Sequence, residues 1–424
     1  MNLLIQGGHL LDPKNERDGF FDLLIQNGKV SQVGKKIPIK KGWTVWDAKD
    51  HWVFPGLVDA HVHLREPGGE KAETILSGCK AAVKGGVTSL ISMANTHPPI
   101  DSPEKVKFVV QRSKKAPARV YPIGAITLGL EGKNLTPFSS MVTAGCIAFS
   151  DDGRCVMDLE LMREALKKAK TLNVPLIEHC EDETLSFGGV IHDGPLSKKL
   201  KVGGISAKSE SNIVERDIEL ARITGARIHL AHISCKDSVD LIRKAKKKNI
   251  SVSAETCPHY FTLTQEAVLN HGSRAKMKPP LRAKKDVEAI VEGLKDGTLD
   301  IIATDHAPHE DVSKGKGLKS SPFGIIGLET SFALVYNELV LKGILSPLEA
   351  LRKMTETPAK IFNLPGGNLK VGSPADIVLF HPKKEWRYTR ESGVSKSHNS
   401  PYLNRKFKGE IIMTLVAGKV VYKK

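Results

Sequence analysis

The feature that most constrains this chain is a repeated alternation. Short apolar runs rich in β-branched residues occur at Leu57–Leu64, Val87–Ala94, Val120–Ile126, Cys146–Asp151, Val174–His179, Ile228–Ile233, Val252–Cys257 and Ile301–Asp305. Segments of helical pattern link them. Leu159, Met162, Leu166 and Ala169 follow a candidate N-cap at Asp158, and Ile213, Ile218 and Ala221 precede Gly225. Buried strands each followed by a helix, eight times over, predict an α/β chain of the (β/α)8 barrel kind, with its active site at the C-terminal ends of the strands.

The two ends read differently. Leu23-Leu24-Ile25 and Lys29-Val30 flank Asn27-Gly28, a strong hairpin signal, and Glu410–Val416 and Lys419–Tyr422 flank Ala417-Gly418; Ala375–Phe380 is also β-rich. Neither end offers a complete core, so the two are expected to pair into one small β domain of residues 1–53 and 365–424, beside a barrel of residues 54–364.

Composition excludes several classes. At 424 residues, with 40% hydrophobic and 26% charged, the chain is too long for a single small binding module and too apolar for wholesale disorder. Lys and Arg total 63 against 47 acids, a net charge of +16 that favours an anionic substrate. The densest basic cluster, Arg243 to Lys248, ends an amphipathic run carrying Val239, Ile242 and Ala245, and reads as a solvated helix face rather than a nucleic-acid site. The cysteines are Cys79, Cys146, Cys155, Cys180, Cys235 and Cys257, without a C-x-x-C, and are expected to be reduced and mostly buried. No apolar run approaches the roughly 20 residues of a membrane span, and no signal-type segment opens the chain, so a cytoplasmic protein with no membrane partner is expected.

The chemistry gathers at the ends of the runs. In Asp59-Ala60-His61-Val62-His63-Leu64-Arg65, the strand period of two turns His61 and His63 to one side, where both can ligate a cation. The fourth run ends in Ser150-Asp151-Asp152-Gly153, the fifth in Glu178-His179-Cys180, and the eighth in Ala303-Thr304-Asp305-His306, while the sixth contains His232. Nitrogen and oxygen ligands without thiolates suit Zn²⁺ or a similar ion. A cation there lowers the pKa of water from about 15.7 to about 7 and polarises a carbonyl, which suits hydrolysis of an unactivated amide. Asp305 is the best-placed carboxylate to take and return the proton, and otherwise serves as a ligand.

These motifs, together with Glu66-Pro67-Gly68, Met93-Ala94-Asn95-Thr96, Ala307-Pro308-His309, Gly372-Ser373-Pro374-Ala375-Asp376 and Ser397-His398-Asn399-Ser400-Pro401, resemble the bacterial long-chain dihydroorotases of the cyclic amidohydrolase superfamily. The resemblance runs nearly end to end. It implies metal ligands at His61, His63, Asp152, His179, His232 and Asp305, for one or two Zn²⁺ ions, with Asp152 rather than Asp151 matching the ligand. It implies substrate contacts at Arg65 and Asn95, with His309 and the Phe323-Gly324 backbone closing over the ring. Arg65 has its own rationale, because a planar guanidinium two residues beyond a metal histidine can grip a carboxylate bidentately. The segment from His306 to Gly324 is polar and rich in Gly, Lys and Ser, and reads as a lid.

Two departures keep related activities open. Glu255-Thr256-Cys257-Pro258-His259-Tyr260 is closer to allantoinases and hydantoinases, although the fourth run lacks the lysine those enzymes carboxylate. Lys278 stands where an asparagine that binds substrate is usual, and a lysine there can still donate to a carbonyl or carboxylate. The expected activity is reversible hydrolysis of dihydroorotate to N-carbamoyl-aspartate in pyrimidine synthesis. The alternatives are an allantoinase or hydantoinase, and a non-catalytic scaffold for aspartate transcarbamoylase. A homo-oligomer, and a complex with aspartate transcarbamoylase, are the expected assemblies.

Overall fold

The structure is a computed structural model describing residues 2–424. Its barrel strands run parallel and in chain order: Leu57–Val62, Val87–Ser92 and Arg119–Pro122 form one ladder, and Leu176–Glu178, Ile228–Leu230, Val252–Thr256 and Ile301–Ile302 form another. The fourth run departs from the expected strand. Only Phe149 pairs, bridging Gly124 on one side and Leu176 on the other. Prolines explain the interruption: Pro122 and Pro175, in the neighbouring segments, have no N–H to donate, so they accept from Ile147 (3.2 Å) and Phe149 (3.4 Å) without answering. Packing holds what the ladder does not, with Phe149 stacked on Phe138 at a centroid distance of 3.8 Å. A parallel bridge between Val62 and His306 closes the barrel.

Several of the helices that link the strands bury the apolar face the sequence marks. In Leu159–Thr171 the Asp158 carboxylate accepts from Leu161 N at 2.8 Å, and Met162, Ala165, Leu166 and Ala169 are buried. Ala207–Thr224 stops at Gly225, whose φ of 63° closes the helix in the left-handed region. Lys236–Lys247 buries Val239, Ile242 and Ala245 and turns its lysines outward, so the basic cluster is a helix face. Among the described residues no helix is long and apolar enough to cross a membrane. All six cysteines are free and buried.

The two ends of the chain share an eight-stranded sheet. Its path runs Lys419–Lys423, Lys406–Val416, Ile377–Arg387, Trp52–Pro55, Asn2–Asp12, Arg17–Gln26 and Lys29–Gly34, with Thr44–Asp47 added beside Asn2–Asp12. Both expected hairpins form. Asn27 and Gly28 have φ of 51° and 75°, and Ala417 and Gly418 have 47° and 73°, so each two-residue turn uses the left-handed region at both positions. The turns also touch: a Cβ on Gly28 would come within 2.9 Å of the Ala417 carbonyl oxygen. Phe54, Phe332 and Phe380 pack where sheet meets barrel, with Phe332 centred 5.0 Å from each of the other two rings. Arg119 clamps Asp376 with two 3.0 Å bonds. We propose unit boundaries at 53/54 and 364/365; the strand Trp52–Pro55 straddles the first, so the units share a strand there.

Candidate metal centre and active site

At the C-terminal ends of the strands the side chains converge. Strand one delivers His61 and His63, the loop after Phe149 delivers Asp152, and His179, His232 and Asp305 follow strands five, six and eight. All six side chains are nearly or wholly buried. Asp152 is shared. Its Oδ1 lies 3.3 Å from His61 Nε2 and 3.4 Å from both His179 Nδ1 and His232 Nε2, and its Oδ2 lies 3.4 Å from His63 Nε2. Asp305 Oδ1 lies 3.0 Å from His63 Nε2 and 3.6 Å from His61 Nε2. Two triads meet the geometry of a metal site, His61-His63-Asp152 and Asp152-His179-His232.

Three of the four imidazoles are oriented from behind. His61 Nδ1 donates to Glu255 Oε1 at 2.6 Å, His63 Nδ1 to Asn95 Oδ1 at 2.8 Å, and His179 Nε2 to Glu181 Oε2 at 3.3 Å. Each of those rings is thereby left with its other nitrogen facing the carboxylates, which is how proteins prepare neutral histidine for a cation. Among the described residues His61 Nε2 is buried with no hydrogen-bond partner, as His232 Nδ1 is on the far side of its ring. Tetrahedral ligands at about 2.1 Å from an ion stand about 3.4 Å apart, and the separations here match that spacing. Donor type and geometry therefore both fit a divalent cation.

Electrostatics agree. Burial works against charge at Asp152, yet His61, His179 and His232 outweigh it and hold the carboxyl well below the usual range. Burial likewise opposes charge at Asp305, and His63 reverses it, leaving a lowered pKa. The site keeps carboxylates ionised in an interior that would otherwise neutralise them. Backbone strain gathers in the same place: Arg65, His232 and Asp305 have φ of 60°, 35° and 48°, conformations costing non-glycine residues roughly 1–3 kcal/mol each.

Above the cluster is a cavity of about 240 Å³. Arg65, Asn95, Lys278, His309, Phe323 and Gly324 line it together with the metal-type residues, except His61, which lies beneath. Arg65 Nε donates to Pro308 O at 3.1 Å, and one terminal nitrogen lies 3.3 Å from His309 Nε2. No carboxylate pairs with its half-buried guanidinium among the described residues, and desolvation pulls its pKa to about 10, so it stays charged at neutral pH. His309 Nε2 donates to the Phe323 carbonyl at 2.6 Å, and burial beside Arg65 and Lys314 pushes its pKa to about 3, keeping the ring neutral. Asn95 is engaged at both ends, its Nδ2 donating to Asp152 O at 3.0 Å. Lys278 Nζ pairs with Glu181 Oε2 at 2.7 Å and lies 5.5 Å from the Phe323 ring centre. Asp151 is turned away, accepting from the Ile126 and Thr127 amides at 2.8 and 3.0 Å. A larger groove of about 1000 Å³ near Pro103, Phe138 and Leu172 contains no comparable cluster.

Glu255 and Glu181 are the partners the sequence reading missed. Glu255 also accepts from His229 Nε2 at 3.2 Å, so it ties His61 to the barrel interior. The available signal was an acid inside the buried run Val252–Cys257, where an unpaired carboxylate would be costly.

Residues 52–421 match the amidohydrolase family model. The chain is 46% identical over 421 residues to the dihydroorotase of Pelotomaculum thermopropionicum, covering 99% of this chain and 98% of that one. It belongs to the dihydroorotase family of amidohydrolases. The dihydroorotases of Clostridioides difficile and Aquifex aeolicus are 44% and 42% identical to it, over 99% and 100% of both chains respectively. Among solved structures, an L-hydantoinase from Arthrobacter aurescens superposes with a TM-score of 0.89 at 24% identity, over 100% of this chain and 96% of its own. A dihydropyrimidinase from Brevibacillus agri gives 0.88 at 24%, over 100% and 95%. These two speak for the fold: a barrel with a small sheet from both termini. In this dihydroorotase family member the histidine–carboxylate cluster apart from His61, the Arg65 side chain and the Phe323-Gly324 turn all border one cavity.

Proposed function

We propose that this family member is a dihydroorotase, reversibly hydrolysing the ring amide of dihydroorotate to N-carbamoyl-aspartate in pyrimidine synthesis, in the cytoplasm. The observation that carries the substrate reading is Arg65. A half-buried guanidinium with no carboxylate partner among the described residues opens into the same cavity as the histidine–carboxylate cluster, which suits a small ring bearing a carboxylate. The allantoinase and hydantoinase alternative is not favoured, since relatives at 42–46% identity over the full length are named dihydroorotase. A non-catalytic scaffold would not need six buried polar groups kept together against their desolvation.

His61, His63 and Asp305 would hold one Zn²⁺ and His179 and His232 a second, with Asp152 shared between them. Such a cation acidifies water and polarises the substrate carbonyl when bound. The protein's own groups do the rest. Arg65 grips the substrate carboxylate through two N–H groups, fixing the ring's orientation. Asp305 accepts the proton of the attacking water as the new C–O bond forms, and delivers it to the ring nitrogen as the C–N bond breaks. Asn95 holds His63 and the Asp152 loop in register, while Lys278, through Glu181, braces His179 and adds positive charge to the cavity rim. Neutral His309 and the Phe323-Gly324 backbone close the far wall.

Self-association, and an assembly with aspartate transcarbamoylase, belong to the same reading. Co-elution at micromolar concentration supports them, and separate monomer and transcarbamoylase peaks remove them. The substrate itself is tested by incubating metal-analysed protein with dihydroorotate, N-carbamoyl-aspartate, allantoin and hydantoin in parallel. Turnover of the first two alone is expected; turnover of the others alone moves the protein to a sister activity.

A further inference from the structure

Between His309 and Gly324, which both line the cavity, the chain forms two single-turn helices, Asp311–Lys314 and Gly317–Ser320. Their burial is inverted. Val312 is 79% exposed, whereas Lys314, two residues on, is 5% exposed. Every partner of the buried Lys314 ammonium is a main-chain carbonyl: Nζ donates to Pro322 O and Gly324 O at 2.9 Å each and to Lys276 O at 3.3 Å. Burial, with Lys276 nearby, lowers its pKa to about 7. A lysine hidden this way without a carboxylate costs stability unless its donors are used.

Of the carbonyls it binds, that of Gly324 belongs to a residue lining the cavity, and Pro322 precedes the lining Phe323. Gly324 O also accepts from Asn399 Nδ2 at 3.1 Å, and Gly324 N donates back to Lys276 O at 3.0 Å. Gly324 has a φ of 115°, and a Cβ there would meet the Ala307 Cβ at 2.5 Å, so the turn sits flush against the chain that follows Asp305. Lys276 completes the fastening from the other side, donating to Lys319 O at 3.0 Å and Ser321 O at 2.7 Å while its Nζ lies 4.4 Å from the Phe323 ring centre. The segment thus has two ammonium pegs, and Lys314 is the one that hydrogen-bonds the turn lining the cavity.

We propose that Lys314 is a positioning residue: its buried ammonium, spread over three main-chain carbonyls, sets the Phe323-Gly324 turn in the geometry that receives the substrate ring. It touches no reacting atom. The proposal rests on the reading of the cavity as the dihydroorotate site. Loss of the peg frees the turn, so binding weakens while chemistry on bound substrate persists.

The test compares Lys314→Met, which keeps length without donors, and Lys314→Arg, which keeps donors, in the full metal-loaded chain. Lys314→Met is expected to raise KM for dihydroorotate about tenfold with kcat within about threefold, and Lys314→Arg to recover most of the loss. In the ligand-free protein, limited proteolysis within residues 310–321 is expected to run about fivefold faster for Lys314→Met than for the unaltered protein. A folded Lys314→Met with unchanged KM and cleavage rate overturns the proposal, as does Lys314→Arg behaving like Lys314→Met in both assays. If Lys314→Met does not fold, Lys314→Gln, with fewer donors, is judged by the same two readouts. If the unaltered protein does not turn over dihydroorotate, the substrate reading fails, and the cleavage rates alone decide on the peg.

Discussion

Glu255→Gln removes the charge behind one metal-type histidine while keeping the shape of the side chain, with the amide oxygen left to accept from His61 and the amide NH2 turned to His229. Glu255 is wholly buried, and its Oε1 and Oε2 accept from His61 Nδ1 at 2.6 Å and His229 Nε2 at 3.2 Å. Burial opposes its charge, but His61 and His229 hold its carboxyl well below the usual range, so it is ionised throughout the working pH. A hydrogen bond to a charged acceptor is worth about 1.5–3 kcal/mol and a neutral one about 0.5–1.5. The substitution therefore removes about 1–1.5 kcal/mol of support for His61 as a ligand, or about tenfold in cation affinity. Competition between the protein and a chromophoric chelator for Zn²⁺ measures this directly, with a thermal scan confirming that the variant is folded. Affinity within about twofold of the unaltered protein, in a folded variant, would refute the argument that a buried carboxylate prepares His61.

Three further outcomes are expected. Arg65→Met should raise KM for dihydroorotate by about thirtyfold or more, because truncating one partner of a buried charge pair costs about 2–5 kcal/mol; a KM change under about threefold places the substrate carboxylate elsewhere. Phe54→Ala, at the junction of sheet and barrel, should destabilise the protein by about 3–5 kcal/mol, seen as a lower apparent unfolding temperature, and an unmoved transition contradicts that packing. Lys353, whose Nζ donates to Leu299 O at 2.8 Å, has its pKa lowered by burial from 10.5 to about 8. The folded chain then binds fewer protons than the unfolded chain across that window, so the residue's contribution to stability rises as pH rises through it. The unfolding temperature of the unaltered protein minus that of Lys353→Met should climb from about pH 8 to pH 10, and a flat difference refutes the assignment.

How much was legible depended on whether the signal was local. His61 and His63 could be read as a pair because a strand repeats every two residues, and the Asn27-Gly28 and Ala417-Gly418 turns because they need positive φ at both positions. That the two ends join one sheet followed from neither having a core of its own. Register was out of reach: Trp52–Pro55 pairs with Ile377–Arg387 across more than three hundred residues, a match set by tertiary packing. The fourth barrel run looked like a strand because its residues are apolar, and the interruption comes from prolines in its neighbours. Asp151 and Asp152 are chemically identical, and only the chain's path past Phe149 turns one toward the Thr127 amide and the other toward the histidines. Lys314 was unreadable for the opposite reason, since a lysine in a polar segment has the same sequence signature whether it faces water or a cage of carbonyls.

The most direct test of the account is the turnover of dihydroorotate by Asp305→Asn, in protein whose metal content has been measured and adjusted to that of the unaltered enzyme. The variant keeps the size of the side chain but cannot take a proton at that position. The account predicts a loss of about a hundredfold or more in kcat, with dihydroorotate still bound through Arg65. Activity within about threefold of the unaltered protein at equal metal content would contradict the assignment of proton transfer to Asp305, and with it the chemistry derived from the cluster.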